Sequence, residues 1–205
     1  MIPEDYIETQ RAVNAYHSDG RIETENEDGA RYANILCDYF QQCKMTPRSI
    51  LDVGCHTGYA LSVFEERIPT TRAVGIDIVP EFVELAKDRG EAYEADMHNL
   101  PFYDKEFDWV FCIGTIEHAH DAQKACSELF RVAKEGVFLS ADCSPQEVFE
   151  ANPSHYTYKV GPSDWVSTCQ QPGWQLFYLS MPSIGAADMM WASPAYWRTL
   201  QEPTP

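Results

Sequence analysis

Apolar positions along this chain change period several times, and those changes mark the elements. Between residues 30 and 44, Tyr32, Ile35, Leu36, Tyr39 and Phe40 recur at helical spacing and predict a helix with one apolar face. A shorter helix is predicted over 6–17, and the acidic run 23–28 reads as loop. Pro47 then biases the chain towards extended backbone. The run 49–53, Ser-Ile-Leu-Asp-Val, is a short apolar strand that breaks into Gly54-Cys-His-Thr-Gly58. A helix over 58–67 follows, with Ala60, Leu61, Val63 and Phe64 on its buried side.

The alternation continues. Strand 72–77 leads to a helix over 80–89, opened by Pro80 and closed by Gly90. A third strand covers 91–95 and a fourth 107–113. A helix over 120–134 precedes a fifth strand over 136–141. Strands alternating with helices of this length predict a parallel sheet covered on both faces, with right-handed crossovers. Past residue 143 the chain becomes rich in proline and aromatics. There 175–180 and 188–197 read as two further strands forming an antiparallel finish. The expected fold is therefore α/β, a Rossmann-like, seven-stranded and mostly parallel sheet with an antiparallel C-terminal edge. One domain spans 1–205: a helical cap over 1–48, whose 30–44 helix acts as a lid, a ligand-binding core over 49–142, and an acceptor-side part over 143–205.

Composition narrows the partners. Hydrophobic residues make up 44% and charged residues 23%, ordinary for a globular chain, but the formal net charge is −17. Lys and Arg form no cluster, which argues against nucleic acid, whose binding rests on neutralising phosphates. The seven cysteines include no CxxC pair, so neither a zinc ribbon nor a redox dithiol is suggested, and a reducing, cytoplasmic setting fits. The acidic N-terminus is no signal peptide, and no run reaches the ~18 apolar residues of a membrane span.

The candidate chemistry lies at strand ends, outside which open parallel sheets bind ligands. Acids stand there four times, as Asp52, Asp77, Asp96 and Asp142. A lone acid in that place is usually a helix cap. Acids at the first three ends, beside a glycine loop, point to a nucleoside ligand, with Asp77 placed to accept from both ribose hydroxyls. Asp52 ahead of the loop, without GxGxxG spacing, speaks against a nicotinamide dinucleotide.

Five segments in order carry a family resemblance: Ile50-Leu-Asp-Val-Gly-Cys-His-Thr-Gly, Val74-Gly-Ile-Asp-Ile, Ala95-Asp-Met-His-Asn-Leu-Pro-Phe, Phe107-Asp-Trp-Val-Phe-Cys and Glu117-His-Ala-His-Asp. The stretch Leu129-Phe-Arg-Val-Ala-Lys-Glu-Gly matches more loosely. Over about 49–142 the chain resembles the class I S-adenosylmethionine-dependent methyltransferases of the type 11 group. The resemblance implies S-adenosyl-L-methionine as cofactor and S-adenosyl-L-homocysteine as product. It assigns Asp52, Gly54, Cys55, His56 and Gly58 to the methionine end, Asp77 to the ribose and Ile78 to the adenine face. Asp96 and the Met97 N–H would meet the adenine amino edge, and Ile113 and Gly114 would line the cofactor. His118, with Glu117, is the candidate base, although His118 could equally pack its loop. His155 and Tyr156 are candidate acceptor contacts, with a structural role for His155 equally open. His118 and His120 make at most half a metal site, so no metal is expected.

Two departures stand out. His56 occupies a place where the family usually has glycine, and the usual Pro-Gly-Gly before the fifth strand is reduced to Glu135-Gly136, which is expected only to tighten a turn. The activity implied is methyl transfer to an oxygen or nitrogen of a small molecule. A non-catalytic cofactor-binding or scaffold subunit is the alternative.

Overall fold

The computed structural model describes residues 22–143, 162–183 and 186–201. Seven strands form one sheet: β1 Ser49–Val53, β2 Arg72–Asp77, β3 Glu91–Glu94, β4 Phe107–Ile113, β5 Ala133–Asp142, β6 Gln175–Ser183 and β7 Ala186–Ala192. Their order is β3-β2-β1-β4-β5-β7-β6. The first five are parallel, while β7 runs antiparallel to both β5 and β6. This is the expected architecture. Strand order reverses between β1 and β4, so the loops leaving those two strands part and leave a crevice at their carboxyl ends.

Helices α1 Ile22–Gln42, α2 Tyr59–Arg67 and α3 Pro80–Ala86 cover one face. They pack on side chains such as Ile50, Ala73, Trp109, Phe111 and Phe138. Helices α4 Ala122–Val132 and α5 Pro162–Cys169 cover the other, over Leu51, Val53, Val74, Val110 and Leu139. Neighbouring residues such as Ile50 and Leu51 belong to opposite layers because side chains alternate across a strand. None of the described helices is long and apolar enough to cross a membrane.

Several boundaries differ from the sequence expectation. Helix α1 begins at Ile22, so the acidic run 23–28 is helical and not loop. This helix packs on the sheet as a core layer. Tyr32, Leu36 and Phe40 are buried, and the Phe40 ring meets Trp109 edge-on at 5.1 Å, whereas Ile35 faces outward. The predicted helix over 120–134 is shortened to α4, preceded by a 3₁₀ turn at Ile116–His118, and its N-cap Asp121 accepts from the Lys124 N–H at 3.0 Å.

The strand expected over 188–197 ends at Ala192, and Pro194–Gln201 form helix α6. Ser193 precedes it and accepts from the Tyr196 N–H at 3.2 Å, and Pro194 supplies a pre-set φ at the first helical position. Glu135-Gly136 is no turn, since Gly136 lies inside β5 opposite Trp109. The helix predicted over 6–17 lies outside the described residues.

Candidate active site

The loop after β1 is held by backbone that few sequences can adopt. Gly54, His56 and Gly58 all have positive φ, at 77°, 49° and 84°. Gly54 is required twice over: a Cβ there would sit 2.2 Å from Thr115 Oγ1, so the loops leaving β1 and β4 meet face to face. The N–H groups of Gly54 and Cys55 both donate to the Ile76 carbonyl, at 2.8 and 2.9 Å. Cys55 is buried, with its sulfur in the space that a Cβ on Gly75 would need.

His56, the residue out of pattern, accepts its left-handed conformation in exchange for two contacts. Its N–H donates to Asp77 Oδ2 at 2.9 Å, and its ring lies 3.9 Å from that of Phe82 on α3. Arg89 braces the far side of the loop, donating to the Thr57 carbonyl at 3.0 Å.

Asp52 and Asp77 end adjacent strands and are the electrostatic centre. Burial, with the nearby Asp77 carboxyl adding to it, pushes Asp52 up to about 8. Burial also pushes Asp77 up to about 6, against the pull of the Val79, His56 and Ile78 N–H groups. Val79 donates to Asp77 Oδ1 at 2.9 Å, so each oxygen of this carboxylate holds a loop. Among the described residues no Lys or Arg forms an ion pair with either acid. A buried acid, Asp52, beside a half-buried one, Asp77, without a cationic side chain gives surroundings that favour a cationic guest.

Asp96, past the end of β3, is tied to His98. The His98 N–H and its Nδ1 both meet Asp96 Oδ1, at 2.9 and 2.6 Å, and Nε2 accepts from the Asp121 N–H at 3.3 Å. The pattern fixes the neutral tautomer with its proton on Nδ1. Burial would raise Asp96, but the His98 ring and N–H outweigh it and leave the carboxyl below its ordinary value. The His120 ring stacks on His98 at 3.7 Å and 13°. Asp96, His98 and His120 offer ligand atoms within 4.8 Å of one another. Rings stacked nearly parallel cannot aim their in-plane lone pairs at one ion, and both His98 nitrogens are engaged. Asp96 and His98 are joined by hydrogen bonds, with the His120 ring stacked on His98.

At the end of β4, Ile113 is half-buried and Gly114 is exposed. Gly114 has φ 58°, and a Cβ there would meet nothing within 4 Å, which leaves open space beside the crevice. Its N–H donates to the Ser140 carbonyl at 3.0 Å. Ile78 is half-buried, and Met97 is buried in the core. Glu117 is buried at 3% exposure, whereas His118 is half-buried on the same turn. His155 and Tyr156 lie outside the described residues. Thus β1, β2 and β4 bring Asp52, Gly54, His56, Asp77 and Gly114 around one crevice. Thr115, Phe82 and Arg89, which brace the first loop, and His98 were not singled out from sequence. The only local signal was His98 two residues after Asp96.

Residues 51–141 match the family model described as a methyltransferase domain. Over 125 residues, 58% of this chain and 42% of the relative, the sequence is 30% identical to a malonyl-[acyl-carrier protein] O-methyltransferase of Halorhodospira halophila. It is 40% identical over 91 residues to a Homo sapiens protein named "Probable tRNA methyltransferase 9B", covering 42% of this chain and 19% of that one. The chain thus spans less than half the length of these relatives. In structure it is similar to a chain of the Haloferax volcanii complex containing the Trm112 methyltransferase activator. That likeness has TM-score 0.70 at 17% identity, covering 89% of this chain and 97% of the other, and it is a likeness of fold.

Proposed function

Because residues 51–141 belong to the class I S-adenosylmethionine-dependent methyltransferases, we propose that this chain moves the methyl group of that cofactor to an oxygen or nitrogen of a small-molecule acceptor. The observation that carries the reading is the pair of buried Asp52 and half-buried Asp77, raised to about 8 and about 6 and with no described Lys or Arg in an ion pair with either. The cofactor's ammonium and sulfonium supply the missing positive charge. Bound, it contributes a methyl group already activated on positive sulfur.

The residues divide the labour. Asp52 and the backbone of Gly54, Cys55, His56 and Gly58 would hold the methionine end. Asp77, braced by the His56 and Val79 N–H groups among others, has lone pairs left for the ribose diol. Ile78 offers an apolar face to the base, and Asp96 with the Met97 N–H its polar edge. Ile113 and Gly114 line the open side. In-line transfer asks mainly for positioning, an effect worth up to about 7–11 kcal/mol. His118, less buried than Glu117, is the better placed to take a proton from the acceptor, with Glu117 behind it. His155 and Tyr156 remain the candidate acceptor contacts.

The relatives differ in what their names say they methylate, so the acceptor class rests on this chain's own charge. At −17 it is poorly suited to a phosphate backbone. Titration calorimetry with S-adenosylmethionine tests the cofactor pocket, and absence of binding overturns the proposal. Binding without turnover on oxygen or nitrogen acceptors favours the non-catalytic alternative. Asp77→Ala is expected to weaken binding by about 1–3 kcal/mol, through loss of a charged hydrogen-bonding group; unchanged affinity removes its ribose role.

A further inference from the structure

We propose that Cys126 and Cys169 are a disulfide-forming pair that staples α4 to α5 on the sheet face opposite α1. Their sulfurs are 2.8 Å apart, within about 0.8 Å of the ~2.05 Å covalent bond. Both are buried at 0% exposure in the same apolar cluster, beside Trp165 and Phe130. The two residues are 43 apart in sequence, so the bond closes a long loop. That loop contains the whole stretch 144–161, where the candidate acceptor contacts fall. Cys169 is the last residue of α5 and is followed by exposed Gln170, so fraying of one helix end suffices to uncover its sulfur.

The chemistry needs an oxidant, and a low-molecular-weight disulfide such as oxidised glutathione provides it. The Cys169 thiolate attacks that disulfide, forms a mixed disulfide and releases one glutathione. Cys126 sulfur then attacks the protein-bound sulfur and releases the second. The two protein thiol protons end on the two released glutathione thiolates, the protein loses two electrons, and oxidised glutathione is reduced to two thiols. The Cys169 sulfur alongside it, together with burial, holds the Cys126 thiol well above the ordinary thiol range. Exchange therefore proceeds through opening of α5 and is slow, while the closed pair is shielded from reductant.

The test incubates the full chain with oxidised glutathione until exposed Cys43 is modified, then alkylates free thiols and maps peptides without reduction. A peptide linking Cys126 to Cys169 is expected, with the loss of about two hydrogens. The thermal midpoint should rise by several degrees and return on adding dithiothreitol. In Cys169→Ser, or in Cys126→Ala if that variant is unstable, the rise should vanish. Recovery of both residues fully alkylated overturns the proposal, as does linkage to another cysteine or a rise that persists in the variant.

Discussion

Asp52 and Asp77 stand at about 8 and about 6 because they are buried without a cation, and this has a pH consequence. Both values lie above the ordinary 3.8, so each acid's contribution to folding is present below that value. It is lost as pH rises through about 6 for Asp77 and about 8 for Asp52. A cationic ligand reverses the balance, because it favours the ionised pair and releases the protons. The affinity for S-adenosylmethionine should therefore strengthen between about pH 5.5 and 8, with proton release seen by calorimetry in buffers of different ionisation enthalpy. Asp52→Asn should flatten the upper part of that rise. Affinity independent of pH in the unmodified protein would contradict the charge assignment. His56 shows the same scale from the other side: one hydrogen bond to Asp77 and one ring contact let a non-glycine residue occupy a left-handed position.

Elements are locked to one another by a few close approaches. The most restrictive lies between β4 and β5, where Trp109 is paired with Gly136. A Cβ on Gly136 would come within 2.4 Å of Trp109 Cη2, deep in the sheet, where the indole is enclosed by α1 and α6 through Phe40 and Tyr196. Gly136→Ala should cost about 1–3 kcal/mol by overpacking, measured by urea unfolding. An unchanged midpoint would mean that the indole can move aside. The same contact explains why α1 is part of the core: its aromatic face completes the wall around Trp109.

At the scale of the whole molecule, a net charge of −17 is a uniform repulsion that the described ion pairs do not cancel. Several of those pairs are exposed and contribute little, such as Asp28 with Arg31. Raising the salt from about 10 mM to 0.3 M shortens the screening length to well below the protein's diameter, so the thermal midpoint should rise. A fall would mean that the ion pairs outweigh the repulsion.

The sequence by itself determined the alternation of strands and helices, because periods of two and 3.6 are read within a dozen residues. It also placed Asp52, Asp77 and Asp96 at strand ends, since the acid that stops an apolar run is visible locally. It misread 194–197 as the end of a strand, although Ser193-Pro194 already signalled a helix start. Only the tertiary structure decided what depends on register and crossover. Thr115 lies against Gly54 because β1 and β4 are neighbours, and Gly136 lies under Trp109 because β5 pairs one step out. His98 reaches Asp121 across the turn into α4, and Cys126 touches Cys169 across two helices. These partners are separated by tens of residues, and no local pattern specifies a distance across the sheet.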